Sequence, residues 1–143
     1  MSEHGYYLED LRPGMSAVFG KTITEADILM FAGVSGDTNP VHLNEEFAGG
    51  SQFRGRIAHG MLTASLISTV IGTKLPGPGC VYISQTLRFM APVRAGDTVR
   101  AQVEIKEVNV EKRRVTMETT CLVNANPVLT GEAVILVQRR PTG

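Results

Sequence analysis

The pattern of hydrophobic and polar positions is dominated by residues 57–75, IAHGMLTASLISTVIGTKL, which carry no charge between Arg56 and Lys74. Its large apolar side chains would point to most sides of a helix: Met61, Leu62, Leu66, Ile67, Val70 and Ile71. A helix that is apolar nearly all round is either wrapped by protein or spans a membrane. This one would be roughly 25 Å long, which is short for a bilayer, and its histidine, serines and threonines disfavour a span. We therefore predict a buried central helix from Ile57 to Leu75.

After this helix the hydrophobic period changes from helical to two. Residues 80–90 alternate, and the predicted buried face of this strand consists of Val81, Ile83, Leu87 and Phe89. The cleanest half-buried pattern runs from Val99 to Lys106. Further strands are predicted at residues 115–123 and, after the turn Asn124-Ala125-Asn126-Pro127, up to about Gln138. Four strands joined by short turns predict an antiparallel meander with one solvated face.

The N-terminal part supplies a first strand and two shorter helices. We predict the strand at Ser16–Lys21, then a helix opened by Thr24 with Asp27 as a weak capping box, and a short helix capped by Asn44. One more strand is expected in this half. Together, these helices and strands predict an α+β hot-dog fold, in which a curved antiparallel sheet wraps around a long buried central helix. It would form one domain over residues 1–143.

Composition narrows the class of protein. The 14 basic and 14 acidic side chains balance, so nothing indicates a nucleic-acid groove or an anionic membrane as partner. Cys80 and Cys121 fall in strand-like apolar runs, without the spacing of a metal site or a disulfide framework. The N-terminus lacks the basic and apolar pattern of a secretion signal, so we predict a cytoplasmic protein.

The segment Ser35-Gly36-Asp37-Thr38-Asn39-Pro40-Val41-His42 is the first candidate for chemistry. Pro40 ends any helix, so the chain can turn and bring the Asp37 carboxylate and the His42 imidazole to one point. Such a pair is suited to activating a water molecule and moving its protons. A surface turn of ordinary turn-forming residues is the alternative.

The second candidate is Ala58-His59-Gly60-Met61, at the start of the central helix. Unpaired N–H groups and the positive end of the helix dipole lie there, so the Gly60 amide could polarise a bound carbonyl oxygen. Gly60 could instead serve a tight approach to a strand, and His59 could be a packed or capping residue. Ser68 could bond a buried carboxylate such as Asp37, or its own i−4 carbonyl.

These stretches together resemble the MaoC-like, hot-dog-fold (R)-specific enoyl-CoA hydratases, the hydratase 2 family. The resemblance rests on SGDTNPVH at 35–42, RIAHGML at 56–62 and FMAPVRAGD at 89–97, and it extends from about Gly14 to Val137. Relatives often continue the first motif as H-x-D-P, where this chain has His42-Leu43-Asn44-Glu45. Asparagine caps a helix about as well as aspartate, so we interpret this as a structural change.

The resemblance implies a function and a set of roles. Asp37 and His42 would activate the water that adds to a trans-2-enoyl-CoA, giving a (3R)-3-hydroxyacyl-CoA, and the Gly60 N–H would hold the thioester oxygen. Asn39 would support the loop, and Ser68 would fix the orientation of Asp37. Acyl-CoA would be a substrate, with no metal and no nicotinamide, and the chains would pair as homodimers through sheet edges.

Two other functions remain open at this stage. An acyl-CoA thioesterase on the same fold usually depends on a carboxylate on or beside the central helix, and residues 57–73 contain none. A non-catalytic acyl-binding hot-dog subunit would be expected to lose the aspartate or the histidine, and both are present.

Overall fold

The computed structural model describes residues 3–142, and within them the chain forms one sheet and four α-helices. The strands are β1 Ser16–Thr22, β2 Val81–Gln85, β3 Arg88–Phe89, β4 Thr98–Asn109, β5 Arg114–Val123 and β6 Asn126–Leu136. The helices are α1 Glu25–Ser35, α2 Pro40–Leu43, α3 Glu45–Gly49 and α4 Gly60–Thr73, and Leu8–Asp10 forms a short 3-10 helix. Met1, Ser2 and Gly143 of the predicted domain lie outside the described residues.

The sheet is antiparallel throughout, with the order β1-β4-β5-β6-β2 and with β3 also paired to β6. The alternation predicted for β4 is confirmed, because its apolar side chains are buried and the polar ones between them are exposed. The buried side chains of β4 are Val99, Ala101, Val103 and Ile105.

Helix α4 supplies the other half of the core, and it packs against β1, β4 and β5. Its buried side chains are Leu62, Thr63, Leu66, Ile67, Val70 and Ile71. This confirms the predicted α+β hot-dog fold. No helix within residues 3–142 combines the length and the hydrophobicity needed to cross a bilayer.

The predicted bounds and surroundings of this helix need correction. It begins at Gly60 rather than Ile57, because the Ala58 N–H donates to the Val93 carbonyl (N···O 2.6 Å) and holds the preceding chain against a neighbouring segment. It ends at Thr73, before Leu75-Pro76. The helix is also not wrapped on every side, since its outer face is exposed in the single chain: Met61, Ser65, Ser68 and Gly72.

The strand predicted for residues 80–90 is wrong in its burial and its continuity. The chain forms two pieces, β2 and β3, with a register shift between Tyr82 and Ser84. Val81, Ile83 and Phe89 are 50%, 47% and 53% exposed. Alternation was the right sign of a strand, but β2 lies at the sheet edge, where no second layer of this chain covers the predicted inner face.

Two further predictions about the sheet are corrected. The meander holds for β4, β5 and β6, but β2 crosses over to pair with β6 rather than with β4. The additional N-terminal strand is not found among residues 3–142, where β1 is the only strand before α4. The sixth strand is instead β3, because residues 80–90 divide in two.

The capping box predicted for α1 is confirmed. The Asp27 N–H donates to Thr24 Oγ1 (3.1 Å), and the Thr24 N–H donates to Asp27 Oδ2 (2.9 Å). That backbone hydrogen bond, aided by Lys21, lowers the pKa of Asp27 below its ordinary value. The resulting stabilisation is complete above the usual carboxyl pKa of about 4 and is lost as the pH falls through the lowered value.

We expect Thr24→Ala to lower the free energy of unfolding by about 1 kcal/mol, because one N–H at the start of α1 loses its side-chain acceptor. Urea denaturation at neutral pH measures this. Thr24→Ser keeps the acceptor and should stay close to wild type. An Ala variant as stable as wild type would contradict this role of the cap.

Candidate active site

The loop between α1 and α2 holds the first candidate residue, Asp37. Gly36 ends α1 in the left-handed conformation (φ 78°), which turns the chain out of the helix. The Asn39 N–H then donates to Asp37 Oδ1 (3.2 Å), and Asn39 Oδ1 accepts from the Val41 N–H (3.1 Å). These local bonds orient the carboxylate while Oδ2 keeps no protein partner within residues 3–142. Asn39 thus bonds to both sides of the turn, through its own N–H and through its side chain.

His42 lies in α2 and is buried, with 8% of its surface exposed. Its Nδ1 lies 2.8 Å from the carbonyl oxygen of Ile57. A carbonyl can only accept, so in this bond Nδ1 carries the hydrogen. The neutral ring therefore keeps a lone pair on Nε2, where it can accept a hydrogen bond from a water molecule.

His59, directly before α4, connects the two candidate residues. Its Nε2 donates to the backbone carbonyl of Asp37 (2.9 Å), and its ring stacks on His42 with centroids 3.9 Å apart at 29°. The Phe31 ring packs against it at 4.9 Å. His59 is a packed residue, 2% exposed, which fixes the loop of Asp37 against the start of α4.

Asp37, His42 and His59 form one cluster whose donor atoms all lie within 4.8 Å of one another. In number and type these donors could ligate a metal ion. Each imidazole, however, already uses one nitrogen on a backbone carbonyl, and the two rings are stacked. The nitrogen that remains on each ring and the Asp37 carboxylate line one apolar cavity, so the arrangement also suits a water molecule and a substrate.

Gly60 is the first residue of α4, and its N–H donates to no group within residues 3–142. It faces the cavity at the positive end of the helix. A Cβ atom built on Gly60 would lie 2.6 Å from Phe89 Cε1. Both interpretations of this glycine are therefore compatible: a larger residue would force the Phe89 ring to move, and the free amide can donate to a ligand.

A cavity of about 450 Å³ connects these groups. Its polar wall contains Asp37, His42, His59, Gly60 and Thr63. The rest is mainly apolar and includes Ile57, Met61, Phe89, Met90, Val93, Val128 and Leu129. A carboxylate, an imidazole acceptor and a free amide donor thus line one apolar cleft, which suits water addition beside a bound carbonyl.

The supporting role predicted for Ser68 is not formed within one chain. Ser68 is exposed, does not line the cavity, and makes no hydrogen bond to Asp37. Ser68 lies two turns after Gly60, but at that point of α4 the side chain is exposed, whereas Gly60 lines the cavity. Thr63 also lines the cavity, but the sequence does not predict this, because nothing in it separates the Thr63 hydroxyl from the other hydroxyls of the helix.

Comparison with known proteins identifies a matching family and several similar proteins. The family model described as "MaoC like domain" matches residues 11–127. An (R)-specific enoyl-CoA hydratase of Rhodospirillum rubrum is 53% identical over 94% of both chains. A 3-hydroxybutyryl-CoA dehydratase of Methylorubrum extorquens is 51% identical over 94% of this chain and 85% of its own.

Among solved structures, the unliganded R-hydratase PhaJ1 of Pseudomonas aeruginosa superposes with a TM-score of 0.88 at 43% identity. The match covers 96% of this chain and 88% of that chain. The likeness in sequence and in fold therefore extends over nearly the whole molecule.

We expect Gly60→Ala to lower both stability and any activity of the site, because the new methyl group overlaps the Phe89 ring. Thermal unfolding and a turnover assay measure the two effects. Gly72→Ala, in the same helix but with no atom within 4 Å of the new Cβ, is the matched control and should be neutral or stabilising. The double variant Gly60→Ala/Phe89→Leu should recover stability. Unchanged stability of Gly60→Ala would refute the steric role.

Proposed function

The chain belongs to the MaoC-like family, and on that premise we propose that it is a hydro-lyase that catalyses the reversible (R)-specific hydration of trans-2-enoyl-CoA to (3R)-3-hydroxyacyl-CoA. One observation carries the proposal: the Asp37 carboxylate and His42 imidazole share an apolar cleft with the free Gly60 amide. The names of its relatives describe this reaction, as hydration in one and as dehydration in the other.

In the proposed mechanism the acyl chain occupies the apolar cleft and the thioester oxygen accepts from the Gly60 N–H. The dipole of α4 adds to the polarisation of this carbonyl, which withdraws electrons from C3. Because the negative charge on the oxygen grows during attack, this hydrogen bond is stronger in the transition state than in the bound substrate.

The water molecule lies between Asp37 and His42. Asp37 takes one proton as the water oxygen bonds to C3, and the π electrons of C2=C3 move to give an enolate with its charge on the thioester oxygen. His42 orients the water and helps to shuttle the proton held by Asp37 to C2, after which the carbonyl re-forms and Asp37 is ionised again. Hydrogen and hydroxyl are thereby added to the same face of the double bond. No step uses a metal or a nicotinamide, so we expect activity without either.

The alternative functions have less support in these residues. A thioesterase would need a nucleophile or base directed at the carbonyl carbon, and α4 carries neither aspartate nor glutamate. A non-catalytic acyl-binding subunit would not need Asp37 and His42 to be oriented, yet a backbone hydrogen bond holds the side chain of each.

We also propose that two chains pair through β2 as a homodimer. β2, sequence VYISQ, is an edge strand without a charged side chain, although edges left open to water are usually protected by charge. Its apolar residues are exposed, as are Met61, Phe89 and Met90 at the rim of the cavity. A partner at this edge would cover both the strand and the rim.

For the compartment we propose the cytoplasm. Cys80 and Cys121 are free thiols, and burial raises the pKa of Cys121 to about 12. A buried neutral thiol of this kind acts as a small apolar side chain, which fits a reducing environment.

We expect Asp37→Asn to reduce kcat by about 100-fold or more while leaving thermal unfolding nearly unchanged, because asparagine keeps the acceptor for the Asn39 N–H but cannot take a proton. The loss of enoyl-thioester absorbance with trans-2-butenoyl-CoA measures turnover, and a thiol reagent measures any free CoA. Glu107→Gln, an exposed carboxylate on β4, is the control. A near-full rate in Asp37→Asn would refute the base, and release of thiol by wild type would favour the thioesterase.

We expect wild type to have twice the chain mass of 15.4 kDa by light scattering, and Ile83→Lys to shift it toward the single chain. A charge on the exposed edge would have to be buried when two β2 strands pair. Val110→Lys alters an apolar residue that is somewhat more exposed, 59% against 47%, at the end of the β4–β5 hairpin and should leave the dimer intact. A wild-type chain that stays single would refute the pairing.

A further inference from the structure

Within residues 3–142, two buried side-chain polar atoms have no hydrogen-bond partner: His59 Nδ1 and Thr63 Oγ1. His59 and Thr63 are 2% and 3% exposed, and both line the cavity at the first turn of α4. Buried polar groups in native proteins nearly always have partners, and each exception calls for an explanation. Both lie at one wall of the cavity, where a bound ligand can supply a partner to either of them.

Thr63 differs from the other bonded hydroxyls of the same helix. Ser65 Oγ donates to the Leu62 carbonyl (2.6 Å), and Thr73 Oγ1 donates to the Thr69 carbonyl (2.6 Å). Thr69 Oγ1 likewise donates to the carbonyl of Ser65 (3.3 Å). The corresponding bond of Thr63, to the His59 carbonyl, is not made. The His59 carbonyl already accepts from the N–H groups of Leu62 (3.1 Å) and Thr63 (3.3 Å), so the Thr63 hydroxyl is left without an acceptor.

Thr63 also has the right place for a substrate oxygen. Positions i and i+3 lie on one helix face, and helical side chains lean toward the N-terminus, so Thr63 leans toward the amide of Gly60. In the free chain neighbouring atoms cover Oγ1. Rotation about Cα–Cβ exchanges the hydroxyl with the methyl group, which is of similar size, and threonine commonly uses two rotamers in helices.

Whether each of the two unpartnered atoms can donate or accept a hydrogen bond determines which ligand atom it can bind. Because Nε2 of His59 donates to the backbone carbonyl of Asp37, its Nδ1 offers only a lone pair. A lone pair cannot bind an oxygen that lacks a hydrogen. Thr63 can donate. A carbonyl oxygen has two lone pairs, and Gly60 provides a donor for one of them.

We propose that the Thr63 hydroxyl is the second hydrogen-bond donor to the thioester oxygen, beside the Gly60 N–H. Thr63 is then a catalytic residue whose bond strengthens as the enolate forms. This rests on the proposed hydratase function and adds to it the second half of the site that stabilises the enolate oxygen.

The test compares Thr63→Val, which removes the hydroxyl at nearly constant volume, with Thr63→Ser, which keeps it. For Thr63→Val we expect kcat with trans-2-butenoyl-CoA to fall about 10- to 100-fold with little change in KM, and an equal loss in the dehydration of 3-hydroxybutyryl-CoA. Thr63→Ser should stay within about threefold of wild type. The melting temperature of the Val variant should be unchanged or higher, because an unpaired buried hydroxyl has been removed.

A binding measurement separates this proposal from the function on which it rests. Acetoacetyl-CoA forms an enolate that absorbs in the near ultraviolet, and Thr63→Val should bind a smaller fraction of it as enolate than wild type. An unchanged enolate fraction or kcat in Thr63→Val, an equal loss in Thr63→Ser, or a loss that follows a lower melting temperature would overturn the role of Thr63. So would a rise of KM for the hydroxyacyl substrate alone. An inactive wild type would refute the hydratase function, while the enolate measurement would still decide the role of Thr63.

Discussion

The site depends on how α4 begins. Within three residues the Ala58 N–H binds the Val93 carbonyl, the His59 ring packs against His42 and Phe31, and Gly60 starts the helix with an unpaired amide. The bond from His59 to the Asp37 carbonyl ties the loop to this point. Since α4 is anchored in the sheet by its buried face, the position of the Asp37 loop is set by the core of the fold.

The side chains that stabilise the fold and the groups proposed to do chemistry lie on different parts of the molecule. The inner face of β4 and the buried face of α4 are apolar and closely packed, and they tolerate no polar group without a partner except at the first turn of the helix. Asp37, by contrast, is exposed on a loop. Two Asx-type hydrogen bonds between residues two positions apart support this loop. A rigid loop of this kind can present a solvated carboxylate without a large loss of entropy on binding.

Much of the fold and of the site could be predicted from the sequence, because strands, helix caps and turns are largely specified by residues close together in the chain. Alternation in β4, the capping box at Thr24 and the Asn39-Pro40 turn each act through neighbouring residues. The failures concern partners far along the chain. Alternation in residues 80–90 indicates a strand but not its neighbour or what covers it, and the spacing of Ser68 fixes its helix face but not which way that face turns. The hydroxyl of Thr63 is distinguished only by the absence of a bond, which no sequence motif records.

The order of the strands also constrains how the chain can fold during synthesis. β1 pairs with β4, where Phe19 lies opposite Ala101, and the sheet is completed only by β6 near the C-terminus. The apolar helix α4 leaves the ribosome before the strands β4 and β5 that will cover it. Such non-local pairing makes folding slow and leaves hydrophobic surface exposed in the meantime. The apolar side chains of α4 therefore stay uncovered in the nascent chain until β4 and β5 have been made.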